Sequence, residues 1–490
     1  MKKAIKKFLP TNVLHKNVAY LVGGTFGAQL VLILFSPILT RLYNSSEFGV
    51  LAIYSSLLSI FGSISTLRYN FAIPIAKKNE IDNVLILNFA VLIFLVFLLL
   101  VFISYNAQYV SEILNIDDNK YVVWLLIPGV ALLGIYQTLN YYFIREKLFL
   151  DIAKTKLTQS IWMSLVQFAL FFLGGVALIL GRIVGVSAGI NIFLDKYKRI
   201  RKKILLDVSL KGVIDAAKRY RKFPIYSTWS GLFNTAGKEA PTLLLAVLFS
   251  ASSAGFYLLA QRVIAMPMTL IGRSISDVFF SYASRNKNSI ETKDIFINIH
   301  TTLSKVSMPI ALFLLLGAPE LFVFVFGNEW RDSGVFAQIL APFLYFRFVI
   351  SPLSQMTSVL EIQGQELVFQ IMLFLVRVLS ILIGYIQGSV YFAVLYFSLS
   401  SAFMWASYSI FLYYISGCSV KGPFKDFFYS LILSVPLVLP MLIQYCFDLH
   451  KYYLLMCYVL TILFIVIRYF YIYKDLVRGK EPLINYQNLR

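Results

Sequence analysis

The sequence predicts an all-α integral membrane protein with about fourteen transmembrane helices. Hydrophobic residues make up 59% of the 490-residue chain and charged residues only 14%, a balance far more apolar than that of soluble domains. Apolar runs long enough to cross a hydrocarbon core of about 30 Å recur from one end of the chain to the other. Basic residues between these runs are concentrated in every second loop, as expected for loops on the cytoplasmic side.

Each predicted span is defined by its apolar length. The least apolar ones are 48–75, 157–175 and 254–283, because serine, threonine, lysine and arginine dilute them. The basic start, MKKAIKKFLP, leads into a long apolar run without a clear small-residue cleavage site, so the first span is predicted to be retained. In order, the spans are 17–40, 48–75, 83–104, 121–144, 157–175, 176–194, 223–249, 254–283, 300–326, 333–360, 367–387, 389–415, 427–447 and 452–473.

Loop charges give the predicted orientation. With the N-terminus inside, the outer loops contain only four basic residues, Arg41, Lys120, Arg331 and Lys451. All other lysines and arginines outside the spans fall on the inner side, where such residues accumulate. Adding or losing one span would reverse the later loops and remove this asymmetry. Both termini are therefore predicted to be cytoplasmic.

The segment 195–222 is basic and amphipathic. It is predicted to lie on anionic membrane lipid, with docking of a partner protein as the alternative. Its lysines and arginines account for much of the net charge of +20 without a nucleic-acid partner. On a helix, one face would carry Leu210, Val213, Ile214 and Ala217 and the other Lys211, Asp215, Lys218 and Lys222.

This segment also divides the chain into predicted domains. The N-terminal lobe is 1–194 with the first six helices, 195–222 is the cytoplasmic linker, and the C-terminal lobe is 223–415 with the next six. Residues 416–490 would form two additional helices and a cytoplasmic tail.

The two predicted lobes resemble each other locally. Pro37 precedes ILTRLYNSSEFG, and Pro241 precedes TLLLAVLFSASSAG. In each, a proline comes before a Ser-Ser turn and a glycine that open the next span. Because both helices before the turn begin on the cytoplasmic side, the lobes are predicted to be parallel pseudo-repeats related by an axis along the membrane normal.

Basic residues outnumber acidic ones within the predicted spans. A cation near the middle of a bilayer costs ~2.5 kcal/mol or more, so an excess of cations calls for an anionic partner or water. Those near the cytoplasmic ends of their helices, predicted to extend to the headgroups, are Arg68, Arg273, Lys305 and Arg468. Those deep enough to line a substrate path are Arg182, Lys238, Arg262, Arg347 and Arg377.

The acids within the spans are Glu239, Asp277 and Glu320. Two interpretations stay open for the first two. Glu239 could form a salt bridge with Arg262, and Asp277 one with Arg273. Alternatively, Glu239 and Asp277 are the candidates for coupling transport to an ion gradient.

Polar stripes at helical spacing predict which helix faces look toward protein or water. On the seventh span Ser227, Gly231, Asn234 and Lys238 share a face, and on the eleventh Gln370, Arg377 and Gly384 do so. Lipid would be a poor neighbour for these faces.

Metal and cofactor chemistry have no support in the sequence. The cysteines and histidines are scattered without metal-ligand spacing, so neither a metal site nor a disulfide is expected. The deep cations instead suit phosphate, because arginine offers a planar fork to phosphate oxygens and lysine a point charge. A lipid-linked diphosphate would match such a lining.

Two segments resemble the Wzx-type polysaccharide or O-antigen flippases of the multidrug/oligosaccharidyl-lipid/polysaccharide exporter superfamily. They are EFGVLAIYSSLLSIFGSISTLRYNFAIPIAKKNEI at 47–81 and GKEAPTLLLAVLFSASSAGFYLLAQRVIAMPMTLIGRSISDVFFSYAS at 237–284. The chain departs from the family pattern at Asn70, where many relatives carry an acid, so proton coupling is not expected there.

The resemblance implies a bundle of two lobes that alternates access around a central cationic cavity. It implies a multi-pass protein of the bacterial cytoplasmic membrane that moves an undecaprenyl-diphosphate-linked oligosaccharide repeat unit to the periplasmic face. The glycan would serve O-antigen, capsule or exopolysaccharide biosynthesis, with a polysaccharide polymerase and a chain-length regulator as further partners. Transport would be coupled to an ion gradient and not to ATP, and the chain contains no GxxxxGK[ST] motif. No enzymatic activity and no cofactor are expected.

Three other functions were weighed. A drug exporter of the same superfamily carries organic cations, and its cavity should favour carboxylates. A lipid II flippase would share the helix number and a cationic cavity, but the two segments match the polysaccharide branch better. A membrane polysaccharide polymerase or ligase should place its chemistry in a large outer loop, and the longest one, 105–120, offers only Asp117 and Asp118.

Overall fold

The computed structural model describes residues 13–116, 121–200, 208–267, 290–447 and 451–477, together with six residues between 268 and 289. Every regular element in this part of the chain is helical, which confirms the predicted all-α membrane protein. Each of the fourteen predicted spans overlaps a described helix. Within these described ranges, eleven helical segments are long and apolar enough to cross a membrane. The number of crossings and the side of the termini stay predictions.

Contacts divide the chain into two compact units, Met1–Leu259 (unit 1) and Ala260–Arg490 (unit 2). The predicted domain limits at 194, 222 and 415 stay predictions. Unit 1 contains α1 (Val13–Leu42), α2 (Ser45–Ile64), α3 (Ile81–Ile113), α4 (Tyr121–Arg145), α5 (Phe149–Ala169), α6 (Gly175–Ile200), α7 (Leu210–Arg219), α8 (Thr228–Leu248) and the first half of α9 (Ala251–Pro267). Unit 2 continues with α10 (Ile290–Phe326), α11 (Arg331–Ile350), α12 (Met356–Val359), α13 (Gln363–Ile386), α14 (Val390–Ile415), α15 (Gly422–Ser434), α16 (Leu439–Phe447) and α17 (Lys451–Val477).

The start of α2 is fixed by a capping box. The side chain of Asn44 accepts a hydrogen bond from the amide of Glu47, and the Glu47 carboxylate accepts one from the amide of Asn44. These two bonds satisfy backbone donors that a helix start leaves open, which is why the helix begins at Ser45.

The end of α2 differs from the predicted span 48–75. The helix stops at Ile64, and Leu67 and Arg68 take positive φ values of 44° and 57° before a 3-10 turn. Arg145 of α4 holds this turn, donating hydrogen bonds of 2.7 and 2.6 Å to the carbonyls of Ile73 and Ala76. No proline or glycine occurs between 63 and 73, where the helix breaks, so a helical pattern alone could not locate the break.

The two Ser-Ser turns that suggested an internal repeat lie in contact. A Cβ atom on Gly49 of α2 would overlap the carbonyl of Ala251, and one on Gly255 of α9 would overlap the carbonyl of Ser45. The first turns of α2 and α9 therefore meet backbone to backbone, and both glycines are required by this close approach.

The basic amphipathic segment forms α7, which Ser209 caps by accepting a hydrogen bond from the amide of Gly212. The four apolar residues expected to share one lipid-facing side are divided in the structure. Val213 and Ala217 pack into the core of unit 1, whereas Leu210 and Ile214 are exposed. Attachment of this segment to lipid stays a prediction, and the exposed Leu210 and Ile214 are the apolar residues available for it.

Candidate functional site

A polar cluster joins α2, α6 and α8 in unit 1. The guanidinium of Arg182 donates a hydrogen bond of 2.9 Å to the hydroxyl of Ser55. The next residue, Ser56, donates one of 2.9 Å to Oε2 of Glu239. Arg182 and Glu239 are both half-buried, and each lies within electrostatic reach of the other. We call Ser55, Ser56, Arg182 and Glu239 the unit 1 cluster.

Consecutive serines explain how α2 forms hydrogen bonds with both α6 and α8. Neighbouring residues on a helix point about 100° apart, so Ser55 and Ser56 face different helices. Both α6 and α8 pack on α2, and each contributes one charged member of the cluster. A cation and an acid that are far apart in sequence are thereby brought to one place.

The polar stripe of the seventh predicted span lies on α8. At its buried end, Gly231 packs directly against the guanidinium of Arg68, which also lies 5.0 Å from the ring centre of Phe71. Arg68 was expected to extend to the headgroups, but it packs against α8. Lys238 at the other end of the stripe is exposed.

A second group of cations lies in unit 2. The guanidinium carbons of Arg347 on α11 and Arg377 on α13 lie 5.7 and 5.4 Å from the ring centre of Phe343. Arg377 also lies 5.6 Å from the ring of Phe397, and its Nε donates a 3.3 Å hydrogen bond to Ser401. Two of the predicted cavity cations therefore share one aromatic ring; we call them the unit 2 cation pair.

The other predicted residues are distributed as follows. Arg262 is half-buried on α9, within unit 2. Asp277 and Arg273 lie outside the described residues, and their salt bridge and the ion coupling by Asp277 stay predictions. Glu320 pairs with Arg331 at 2.8 Å, next to the turn between α10 and α11.

Sequence reasoning missed one further group, a buried pair of His300 and Asp426 in unit 2. Nδ1 of His300 lies 2.7 Å from Oδ2 of Asp426. In the sequence His300 is one of three scattered histidines, and Asp426 was predicted to lie in a loop. The signal that could have revealed them is their position: each is a titratable residue at the start of an apolar run. Among the described residues, no group of three or more histidines, cysteines or acids is placed to hold a metal ion.

Comparison with known proteins was made by sequence and by structure. A family model described as "Polysaccharide biosynthesis protein" matches residues 38–335, which include both segments on which the resemblance rests. Teichuronic acid biosynthesis protein TuaB of Bacillus subtilis (strain 168) is 26% identical over 137 residues, which make up 28% of this chain and 28% of TuaB.

Solved structures show the fold. The lipid II flippase MurJ in an inward closed conformation has a TM-score of 0.68 at 13% identity, covering 93% of this chain and 99% of MurJ. An inward-facing multidrug resistance MATE family transporter of the MOP superfamily has a TM-score of 0.61 at 12% identity, covering 81% and 94%. The chain therefore has the fold of MurJ and MATE transporters.

Proposed function

Because this chain belongs to the polysaccharide biosynthesis protein family that matches residues 38–335, we propose that it is a flippase for a lipid-linked oligosaccharide. The cargo is an undecaprenyl-diphosphate-linked repeat unit, moved across the bacterial cytoplasmic membrane for assembly of a surface polysaccharide. The protein acts by transport and not by catalysis.

The observation that carries this proposal is the unit 2 cation pair. Arg347 and Arg377 lie on apolar helices, each over the face of Phe343. An aromatic face attracts a guanidinium and leaves the N–H groups at its edge able to donate hydrogen bonds. Two such forks, each within 6 Å of the same ring centre, suit the oxygens of a diphosphate, which carries several negative charges over a few ångströms.

The remaining cations extend the same chemistry. Arg182 in unit 1 already makes a side-chain contact with the hydroxyl of Ser55, which another acceptor could replace. Lys238 is exposed on α8, and Arg262 is half-buried on α9. In the proposed mechanism these groups attract the diphosphate and any acidic sugars, while the prenyl tail stays in lipid. Access alternates between the two membrane faces, and prolines inside helices, such as Pro37 and Pro241, are the places where a helix can bend.

Complementation of a strain that lacks its own flippase tests the proposal. Wild-type protein should restore surface glycan and clear lipid-linked repeat units from the inner leaflet. Arg347→Glu and Arg377→Glu, compared at matched protein levels in the membrane, should leave those units on the inner leaflet. Arg331→Glu is the matched control, because Arg331 is an exposed residue paired with Glu320.

Each alternative has its own outcome. Normal surface glycan in both arginine variants would refute the cationic site. Unpolymerised units on the outer leaflet after deletion of the gene would indicate a polymerase. Rescue of a strain depleted of its lipid II flippase, without effect on surface glycan, would indicate lipid II as the cargo.

A further inference from the structure

The carboxylate of Asp426 on α15 is the centre of a buried hydrogen-bond network in unit 2. It accepts from Nδ1 of His300 at 2.7 Å, from the hydroxyl of Thr301 at 3.0 Å and from the hydroxyl of Tyr413 at 3.2 Å. His300 is only 4% exposed and Asp426 only 8%. An acid so deeply buried is tolerated only where donors surround it, and this one has three.

The second ring nitrogen of His300 points the other way. Nε2 lies 3.2 Å from the hydroxyl of Ser409 on α14. His300 and Ser409 both line a cavity of about 210 Å³ whose other walls are mainly apolar, with Phe346 and Phe427 among them. The cavity is large enough to hold water molecules, and the imidazole and the Ser409 hydroxyl would give that water polar partners.

These contacts define the hydrogen-bonding state of the imidazole. Because a carboxylate only accepts hydrogen bonds, Nδ1 carries the hydrogen and Nε2 is the site at which a second proton can bind. The hydroxyl of Ser409 can donate to Nε2 when the ring is neutral and accept from it when the ring is protonated, since a hydroxyl does both. The hydrogen bond between Ser409 and His300 can therefore form in both charge states.

Other titratable groups lie near this pair, beginning with Lys425, which precedes Asp426 on α15. Tyr413 contacts Asp426 directly, and Tyr345 of α11 is linked to α15 through Ser304, which lies 2.6 Å from the Tyr345 hydroxyl and donates to the Asp426 carbonyl. Further out on the elements packed around the pair, Lys305 of α10 lies over the ring of Tyr429, Lys293 of α10 donates to the carbonyl of Gly417, and Tyr469 of α17 donates to the carbonyl of Val306.

We propose that His300 and Asp426 form a proton-binding site that opens on this cavity, and that the proton bound there drives transport. The coupling role rests on the proposed flippase function, whereas the binding of the proton does not. Histidine is the side chain whose charge changes most readily near neutral pH. A proton taken from cavity water forms an N–H bond at Nε2, and the pair changes from one net negative charge to an internally neutral ion pair.

The charge change reaches the helices through their hydrogen bonds. A buried net charge is costly, so protonation favours close packing of α15 against α10 and α14, and release of the proton loosens it. The pair connects these three helices directly, because its members and their partners lie on all three. A proton gradient would thus bias the packing of unit 2, which a fixed structural ion pair would not do.

Direct proton binding is tested on the full-length protein in detergent micelles, with ¹³C-labelled histidine followed by NMR. The signal lost in His300→Gln identifies the residue. It should move when the pH is changed, and Asp426→Asn should alter that dependence on pH. Ser380→Ala, a change to a buried serine on α13 that bonds to Ser400, should leave it unchanged. A signal that does not move with pH, or moves identically in Asp426→Asn, overturns the proton site.

Coupling is tested in inverted membrane vesicles that contain lipid-linked repeat units. An imposed proton gradient should speed translocation by wild-type protein at least about fivefold, the lower end of typical coupling between two ligands. Asp426→Asn, which keeps the shape of the side chain, should translocate at a rate independent of the gradient. Undiminished gradient dependence in this variant refutes the coupling role and leaves the flippase standing. Absence of translocation by wild-type protein under every gradient refutes the flippase, and the NMR result still decides the proton site.

Discussion

The hydroxyl of Ser56 donates a 2.9 Å hydrogen bond to Oε2 of Glu239, and so joins α2 to α8. On the adjacent residue, Ser55 accepts from Arg182 of α6. Uncharged side chains therefore hold the two charged members of the unit 1 cluster in position. Counting charges along the sequence could find Arg182 and Glu239, but not the serines that bring them together.

Ser56→Ala should destabilise the protein. The half-buried carboxylate of Glu239 loses a donor, and hydrogen bonds to charged groups contribute ~1.5–3 kcal/mol. The free energy of unfolding in detergent micelles measures the effect. Ser63→Ala is the control, because the Ser63 hydroxyl donates to the carbonyl of Ile60 in its own helix. Equal losses in both variants would contradict the role assigned to Ser56.

Gly49→Ala and Gly255→Ala should each destabilise unit 1. The added methyl group would overlap a backbone carbonyl of the opposite helix, and overpacking costs ~1–3 kcal/mol. Thermal unfolding of the purified protein gives the measurement. At Gly364 on α13 an added Cβ meets nothing within 4 Å, so Gly364→Ala should be neutral or slightly stabilising. Unchanged stability in Gly49→Ala would argue against the close crossing of α2 and α9.

Arg377→Lys should impair transport although it keeps the charge. Lysine lacks the planar fork, so it cannot contact Ser401 and two aromatic faces as the guanidinium does. A loss of about 1.4 kcal/mol in binding would lower translocation roughly tenfold. The ratio of inner-leaflet to outer-leaflet repeat units, at matched protein levels, is the readout. The control variant Arg331→Lys should behave as wild type. Wild-type transport in Arg377→Lys would instead show that the positive charge alone is sufficient.

Arg145→Met should loosen the turn that follows α2. The variant removes both hydrogen bonds to the carbonyls of Ile73 and Ala76, and amide hydrogens of 69–76 should exchange at least about tenfold faster. Hydrogen exchange followed by mass spectrometry resolves this segment. The control is Arg219→Met, which removes an exposed pair with Glu80 and should cost less than about 1 kcal/mol. Unaltered exchange in Arg145→Met would show that other contacts hold the turn.

The helices could be predicted because lipid leaves the backbone no alternative within an apolar run. Interruptions within runs were harder to predict. The single predicted span 427–447 is in fact α15 and α16, separated by a 3-10 turn that contains Pro436. The run from 290 to 299 appeared to be a loop because it is polar, but it forms the first turns of α10. Polar residues at helix ends lack the apolar pattern that predicts a membrane span, and they are helical because of their packing.

The candidate site was predictable only as a set of charges. Arg347 and Arg377 were recognised because cations are rare in apolar spans, but their shared contact with Phe343 depends on how α11 and α13 pack. His300 and Asp426 were missed because each lies among other polar residues near the end of a span, where such residues are common. Only the tertiary fold brings together residues so distant in sequence.

The contact between Gly49 and Gly255 also sets an order of events during synthesis. α2 emerges from the ribosome and enters the membrane early. The backbone against which it packs most closely, the first turn of α9, is made about 200 residues later. Much of the packing of unit 1 must therefore wait for this contact between distant parts of the chain. Until α9 arrives, the first turn of α2 presents an open glycine surface within the bilayer. The closest backbone contact of α2 therefore forms only after the linker and α8 have been translated.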